Sequence, residues 1–91
     1  MVNFRHKALR TLYESDSPRG LPPELVSRIR RILADLDHAV QPNDLAVPGY
    51  RLHPLSGEWD GFWSVHVSAN SRIVFRFENG EPTDVNLIDY H

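Results

Sequence analysis

Cysteine is missing from this 91-residue chain. That excludes a disulfide framework and any thiolate metal site, and it fits a reducing compartment, so a cytoplasmic location is expected. No apolar run approaches the roughly 20 residues that a membrane-spanning helix needs. No charged, apolar and small-residue signal segment opens the chain. A soluble protein with no membrane partner is the expectation. Also absent is an excess of positive charge: the net value is −2, which weighs against a general nucleic-acid coat. Repeats and low-complexity tracts are lacking too. The length fits one small domain, 1–91, burying roughly 60–65% of its unfolded surface around one core.

The charge that is present is unevenly placed. Residues 1–31 hold seven basic side chains (Arg5, Lys7, Arg10, Arg19, Arg28, Arg30, Arg31) against three acids, Glu14, Asp16 and Glu24. The remainder holds three basic residues (Arg51, Arg72, Arg76) against nine acids. Such asymmetry points to an oriented encounter with a polyanion, against the plainer reading of solvated helix faces.

The segment 62–78, FWSVHVSANSRIVFRFE, reads as two strands around a short turn. Trp63, Val65 and Val67 alternate with Ser64, His66 and Ser68, and Ile73, Phe75 and Phe77 with Arg72, Val74 and Arg76. A three-residue loop, Ala69-Asn70-Ser71, keeps the oily faces together by setting Val67 opposite Ile73, Val65 opposite Phe75 and Trp63 opposite Phe77. Asn70 is then expected to take the left-handed conformation. Arg72 falls beside Ser68. The hairpin has one greasy face for helices and one polar face.

Before it come two helices. Leu9, Leu12 and Tyr13 recur at helical spacing over 6–14, and SDSPRG (15–20) ends that helix. Pro22-Pro23 opens a second helix whose stripe is Leu25, Val26, Ile29, Ile32, Leu33, Leu36 and Val40, with Arg28, Arg31, Asp35 and His38 outward. Residues 43–46 suit one helical turn. Tyr50 to Leu55 reads as a strand that ends at Pro54 or runs along an edge, with Tyr50 and Leu52 on one face and Arg51 and His53 on the other. Asn79-Gly80 marks another tight turn, and a last strand covers about 83–88. The order predicts an α+β fold: N-terminal helices packed on one face of a small, largely antiparallel sheet, with the other face open.

Three places offer chemistry: His53, the Ser68/Arg72 end of the hairpin, and Asp89-Tyr90-His91. Cleaving RNA through its own 2′-hydroxyl needs a base, a proton donor for the leaving oxygen, and positive charge beside the phosphorane. Histidine suits the proton transfers. Arginine grips phosphate with two parallel hydrogen bonds, and tyrosine stacks on unpaired bases. The bland readings are a surface histidine at 53, a cross-strand surface pair at Arg72, an acid-paired Arg76 and a frayed tail. Trp59 and Trp63 read as packing residues; His6 and His38 receive no role. His53, Asp89 and His91 lack the paired local spacing of a metal site, so no metal and no cofactor is expected.

The runs RLHPLSG (51–57), FWSVHVSANSRIVFRFENG (62–80) and IDYH (88–91), together with FRHKALRTLYE (4–14), resemble HigB toxins of the RelE/ParE superfamily along nearly the full length. The resemblance implies a RelE-like fold and a ribosome-dependent messenger-RNA endonuclease acting in the decoding site. It implies neutralisation by a HigA-like helix-turn-helix antitoxin, through which the toxin–antitoxin complex binds operator DNA. It places His53, Arg72, Asp89, Tyr90 and His91 at the active site, with Arg28, Arg31, Arg51 and Arg76 as RNA- or ribosome-binding residues. Ser56 stands where relatives often carry lysine, which removes one phosphate contact, and the chain is less basic than many relatives. If the last strand stays regular, Asp89 and His91 project with core-facing Val85 and Leu87 while Tyr90 goes the other way. A break in the extended pattern near Ile88 is therefore expected. Two rival readings remain. One is a non-enzymatic binder on the same scaffold, a ParE-like gyrase inhibitor or degenerate toxin; the other is a small metal-dependent hydrolase.

Overall fold

A computed structural model of the chain describes residues 2–89. Two helices, α1 (Lys7–Ser15) and α2 (Val26–His38), pack on one face of a four-stranded antiparallel sheet. The strands are β1 (His53–Pro54), β2 (Trp63–Ser68), β3 (Ser71–Glu78) and β4 (Glu81–Asp89), ordered β1-β2-β3-β4. The α+β architecture is the one the sequence predicts. No helix among the described residues is long and apolar enough to cross a membrane.

Helix α1 begins where the His6 ring nitrogen Nδ1 accepts the Leu9 amide at 3.3 Å, satisfying one of the unpaired first-turn donors. A histidine to which the sequence assigned nothing thus caps a helix. The helix ends at Asp16, whose φ of 55° places it in the left-handed region. Pro23 opens a single 3₁₀ turn, Pro23–Leu25, that feeds α2. The apolar stripe buries Leu9 and Leu12 of α1 and Ile29, Ile32, Leu33 and Leu36 of α2 against Val65, Ile73, Phe75 and Val85 of the sheet. The stripe stops earlier than its periodicity suggests. Helix α2 closes at His38, and Val40 is 66% exposed. The helical turn expected at 43–46 is a 3₁₀ turn at Pro42–Leu45, which buries Leu45.

The hairpin keeps the predicted faces but not the predicted register. Trp63 lies opposite Phe75, Val65 opposite Ile73 and His66 opposite Arg72, two residues from the expected pairing. The loop is Ala69-Asn70, between paired Ser68 and Ser71, and the ladder slips at Val67. A bulge there adds one residue on β2, so a two-residue loop and matched greasy faces become compatible. A shift of two residues preserves which side each residue faces. Among the described residues Asn70 is not one of the four non-glycine residues with positive φ, because the bulge rather than the loop absorbs the mismatch. Arg72 therefore neighbours His66, not Ser68.

The next turn follows the pattern. Asn79 and Gly80 have φ of 54° and 78°, and Glu78 pairs with Glu81. Strand β4 is longer than expected and stays paired through Arg72–Ile88 and Ser71–Asp89. There is thus no break near Ile88. The irregularity sits earlier, where the register slips between Val74 and Arg76 and Asp84 adopts φ 53°. The extra residue keeps Pro82 and Val85, three apart, both buried. Asp84 binds Arg76 Nε at 2.8 Å and Arg5 Nε at 3.2 Å, fastening the bulge to the N-terminal segment.

Both flanks of the sheet are occupied. On the β4 side, the Val85 amide donates to the Asn3 carbonyl and Arg5 and Asn3 donate to Val85 and Pro82. The Leu87 amide is taken by the Asn86 side chain at 2.9 Å. On the other side, β1 is only two residues long, ended by Pro54, and the His66 amide donates to the Tyr50 carbonyl at 2.7 Å. Arg28, expected outward, lies half-buried here. Its guanidinium donates to the carbonyls of His66 and Gly49 and sits 5.5 Å from the Tyr50 ring centre. Asp35, also expected outward, accepts the buried Tyr50 hydroxyl. Arg31 and His38 are exposed as predicted.

Candidate active site

The sheet face away from the helices is not flat. The segment 55–62 folds over it, and between them lies a cleft of about 690 Å³ lined by Arg51, His53, Leu55, Trp59, Ser64, Arg72, Val74, Ile88 and Asp89. Its floor is strand parity made concrete: Ser64 pairs with Val74, Val74 with Asn86, and Arg72 with Ile88. Ser64 and Val74 are fully buried although they face away from the helices. A face expected to be open is therefore covered at its centre.

Each chemical group reaches this cleft for a local reason. His53 pairs with Ser64 across the β1–β2 ladder, so β1, though short, fixes the imidazole at the rim. Arg51 stands just before it with φ 51°, a left-handed kink that turns the chain into β1. Arg72 arrives through the His66–Arg72 pair. Asp89 pairs with Ser71 at the sheet end and adds the one acid in a lining that otherwise holds two arginines and a histidine. Among the described residues the lining sets two arginines against one aspartate, on a chain of net charge −2. His66 lies just beyond it. Burial lowers its pKa first, and the charges of Arg51, Arg28 and Arg72 lower it further. The smaller part of that shift reflects three guanidinium charges near one imidazole.

The structure brings His53, Arg51, Arg72 and Asp89 together. Tyr90 and His91 lie outside the described residues. Arg76 is held by Asp84 and by Glu78, 3.3 Å away, on the other side of the β4 bulge. Arg28 is committed to the backbone of β2. Arg31 remains on the exposed face of α2. Ser56 precedes the 3₁₀ turn Gly57–Trp59 and makes no side-chain cap there. Among the described residues no three of histidine, cysteine, aspartate and glutamate cluster in a way that could hold a metal ion.

Five lining residues, Leu55, Trp59, Ser64, Val74 and Ile88, are not among the sequence's site candidates, and two of them stand out. Trp63 does pack against the core, but Trp59 is 37% exposed and forms a wall of the cleft. Ser64 was placed on the polar face, yet its burial depends on a loop whose path no periodicity encodes. The one signal was SGEWDG itself, a tryptophan in a loop between two glycines.

Comparison with known proteins identifies the family and the fold. The family described as the RelE-like toxin of type II toxin–antitoxin system HigB matches residues 2–91. An endoribonuclease HigB from Proteus vulgaris is 42% identical over 89 residues, covering 98% of this chain and 97% of that one. A toxin HigB-1 from Vibrio cholerae is 32% identical over 81 residues, covering 87% and 85%. The fold resembles a chain of the YoeB–YefM complex from Staphylococcus aureus, with a TM-score of 0.64 and 15% identity over 100% of this chain and 95% of that one. It also resembles YafQ from E. coli, with a TM-score of 0.58 and 11% identity over 98% and 91%. With a family pattern matched from residue 2 to residue 91 and close identity along almost all of two relatives, this chain belongs to the HigB-like family of RelE-like type II toxins.

Proposed function

We propose that this toxin is a messenger-RNA endonuclease that works on the ribosome and arrests translation. The observation that carries the reading is the convergence of His53, Arg72 and Asp89, drawn from three different strands, on one cleft. Such a cleft suits a single phosphodiester linkage. The substrate's 2′-hydroxyl attacks the adjacent phosphorus and the 5′-oxygen leaves, which gives a 2′,3′-cyclic phosphate and a 5′-hydroxyl; addition of water to the cyclic phosphate gives a 3′-phosphate. Arg72 steadies the non-bridging oxygens as charge grows in the phosphorane, with Arg51 adding to the field. His53 and His91, with Asp89, take the proton from the 2′-hydroxyl and return one to the leaving oxygen. Tyr90 stacks on or orients the nucleotide. Because the substrate supplies the nucleophile, the scheme calls for no metal.

Membership of a type II toxin family implies an antitoxin partner. A HigA-like helix-turn-helix protein fits that role, with the complex reaching operator DNA through the antitoxin. Arg31 and its neighbours on the helices face the ribosome in this reading, whereas Arg28 and Arg76 serve the fold first.

The test is cleavage of messenger RNA on programmed ribosomes with chelator present. Activity is expected to persist in chelator and to be lost on combining Arg72→Ala with Tyr90→Ala. Retention of cleavage in that double variant would sink the assignment. A DNA-damage response without cut transcripts would select the gyrase-binding alternative instead.

A further inference from the structure

We propose that Trp59 is a second stacking platform, additional to the role given to Tyr90, for a nucleobase flanking the scissile phosphate. This rests on the nuclease reading above and adds how the cleft holds its substrate. Tryptophan is usually largely buried. Trp59 is instead 37% exposed, and together with Val40 it makes up the large hydrophobic side chains left open among the described residues. It is exposed but not loose. Its ring meets the edge of Phe62 at 5.2 Å and 87°. Its amide donates to Ser56 at 3.2 Å, its carbonyl accepts from Phe62 at 2.9 Å, and the Leu55 amide closes the loop onto Phe62 at 2.9 Å. Gly61, at φ 91°, permits the return to β2. The indole is thus pre-set against solvent, which lowers the ordering cost of binding.

The rest of the cleft says what it faces. A phosphate alone needs cations and amides, but here Leu55, Val74 and Ile88 share the lining with Arg51 and Arg72. Half the site suits an anion and half suits a flat apolar body, the two ends of one nucleotide. The volume of about 690 Å³ lies within the range that encloses such a ligand. On the floor, the Ser64 hydroxyl is buried with no hydrogen-bond partner among the described residues. Natural interiors rarely leave such a group unpaired. A base edge or ribose hydroxyl seated against Trp59 supplies the partner after rotation of the serine side chain.

The chain has only two tryptophans, so 5-fluorotryptophan labelling gives two fluorine signals. Titration with a 2′-deoxy trinucleotide of adenine is expected to shift the Trp59 signal, assigned by its loss in Trp59→Phe, and to leave that of Trp63 in place. On programmed ribosomes, kcat/KM should fall about 5- to 100-fold in Trp59→Ala, the range set by one lost base stack, and stay near wild type in Trp59→Phe. Purines stack more strongly than pyrimidines, so the wild type is expected to cut faster with a purine at one position flanking the cut, and that difference should collapse in Trp59→Ala; a merely structural residue would not move it. If Trp59→Ala matches wild type in rate and preference while Arg72→Ala is inactive, the stacking role is wrong and the nuclease site stands. If Arg72→Ala also cleaves normally, the site reading itself fails. Lost activity in Trp59→Ala with an equally lowered urea midpoint and a static fluorine signal would show a structural role and overturn the proposal.

Discussion

The guanidinium of Arg28 is bound to the carbonyl of His66, a residue 38 positions further along the chain, by hydrogen bonds of 3.1 and 3.0 Å. A third bond, to Gly49 at 2.7 Å, ties the same group to the start of the β1 region. One helix side chain thereby fixes the edge from which Arg51 and His53 project. Arg28→Ala should lower stability by about 2–3 kcal/mol, as expected when a charged donor leaves carbonyls without partners. Arg28→Lys should recover only part of this, because an ammonium lacks the planar fork. Urea unfolding measures it; an unchanged midpoint would return Arg28 to a purely surface role.

A second expectation concerns mild acid. Burial holds the pKa of His6 below its ordinary 6.5, and its neutral ring caps α1. The folded state then binds fewer protons than the unfolded one. Its contribution is complete above about pH 6.5 and is lost as pH falls through the lower folded value. His66 acts with the same sign. The urea midpoint should therefore drop between about pH 7 and pH 5. His6→Asn, which still caps, should reduce that slope, and adding His66→Gln should flatten it.

A third concerns stronger acid. Hydrogen bonding from Arg76, then from Arg5, holds Asp84 below the usual carboxylate range. Its contribution is present above about pH 4 and disappears as pH falls through the depressed folded value. Asp84→Asn keeps a residue tolerant of the left-handed backbone while removing the charge. It should lower the midpoint at pH 7 and leave it unchanged near pH 2. Equal losses at both pH values would mean that the bulge geometry, not the ion pairs, matters.

A fourth concerns Ser56. It is exposed, makes no cap, and lies at the start of the loop that carries Trp59. Ser56→Lys places a cation near the cleft at little structural cost. Cleavage on programmed ribosomes should rise about 3- to 10-fold, the equivalent of roughly 1 kcal/mol for one exposed charge contact. No rise, with folding intact, would mean that this loop does not approach a phosphate of the substrate.

Much of this was legible in the sequence because period-2 and period-3.6 patterns encode which side a residue faces. Val65, Ile73 and Phe75 fell on the core and His53 and Arg72 away from it, as read. What periodicity cannot encode is an inserted residue. The bulge at Val67 keeps the faces while moving the register, which gives Arg72 a different neighbour from the expected one, and the bulge at Asp84 lies before Val85, so Asp89 stays in regular pairing at the sheet end. Side-chain reach was hidden as well: Arg28 sits at an outward helical position yet bends back to a strand carbonyl. The path of residues 55–62, which buries Ser64 and presents Trp59, follows from turn hydrogen bonds and one aromatic contact. Neither leaves a repeating trace in the chain.

The occupied flanks of the sheet carry a consequence for life in a crowded cell. Unsatisfied strand amides are the template on which chains stack into cross-β aggregates. Here Asn3 covers Val85, Asn86 covers Leu87 with its own side chain, and Tyr50 covers His66. The molecule offers little at these positions for a sibling chain to zip onto, so newly made copies should stay dispersed at high concentration. At these three positions an added partner strand would find no free amide to start from.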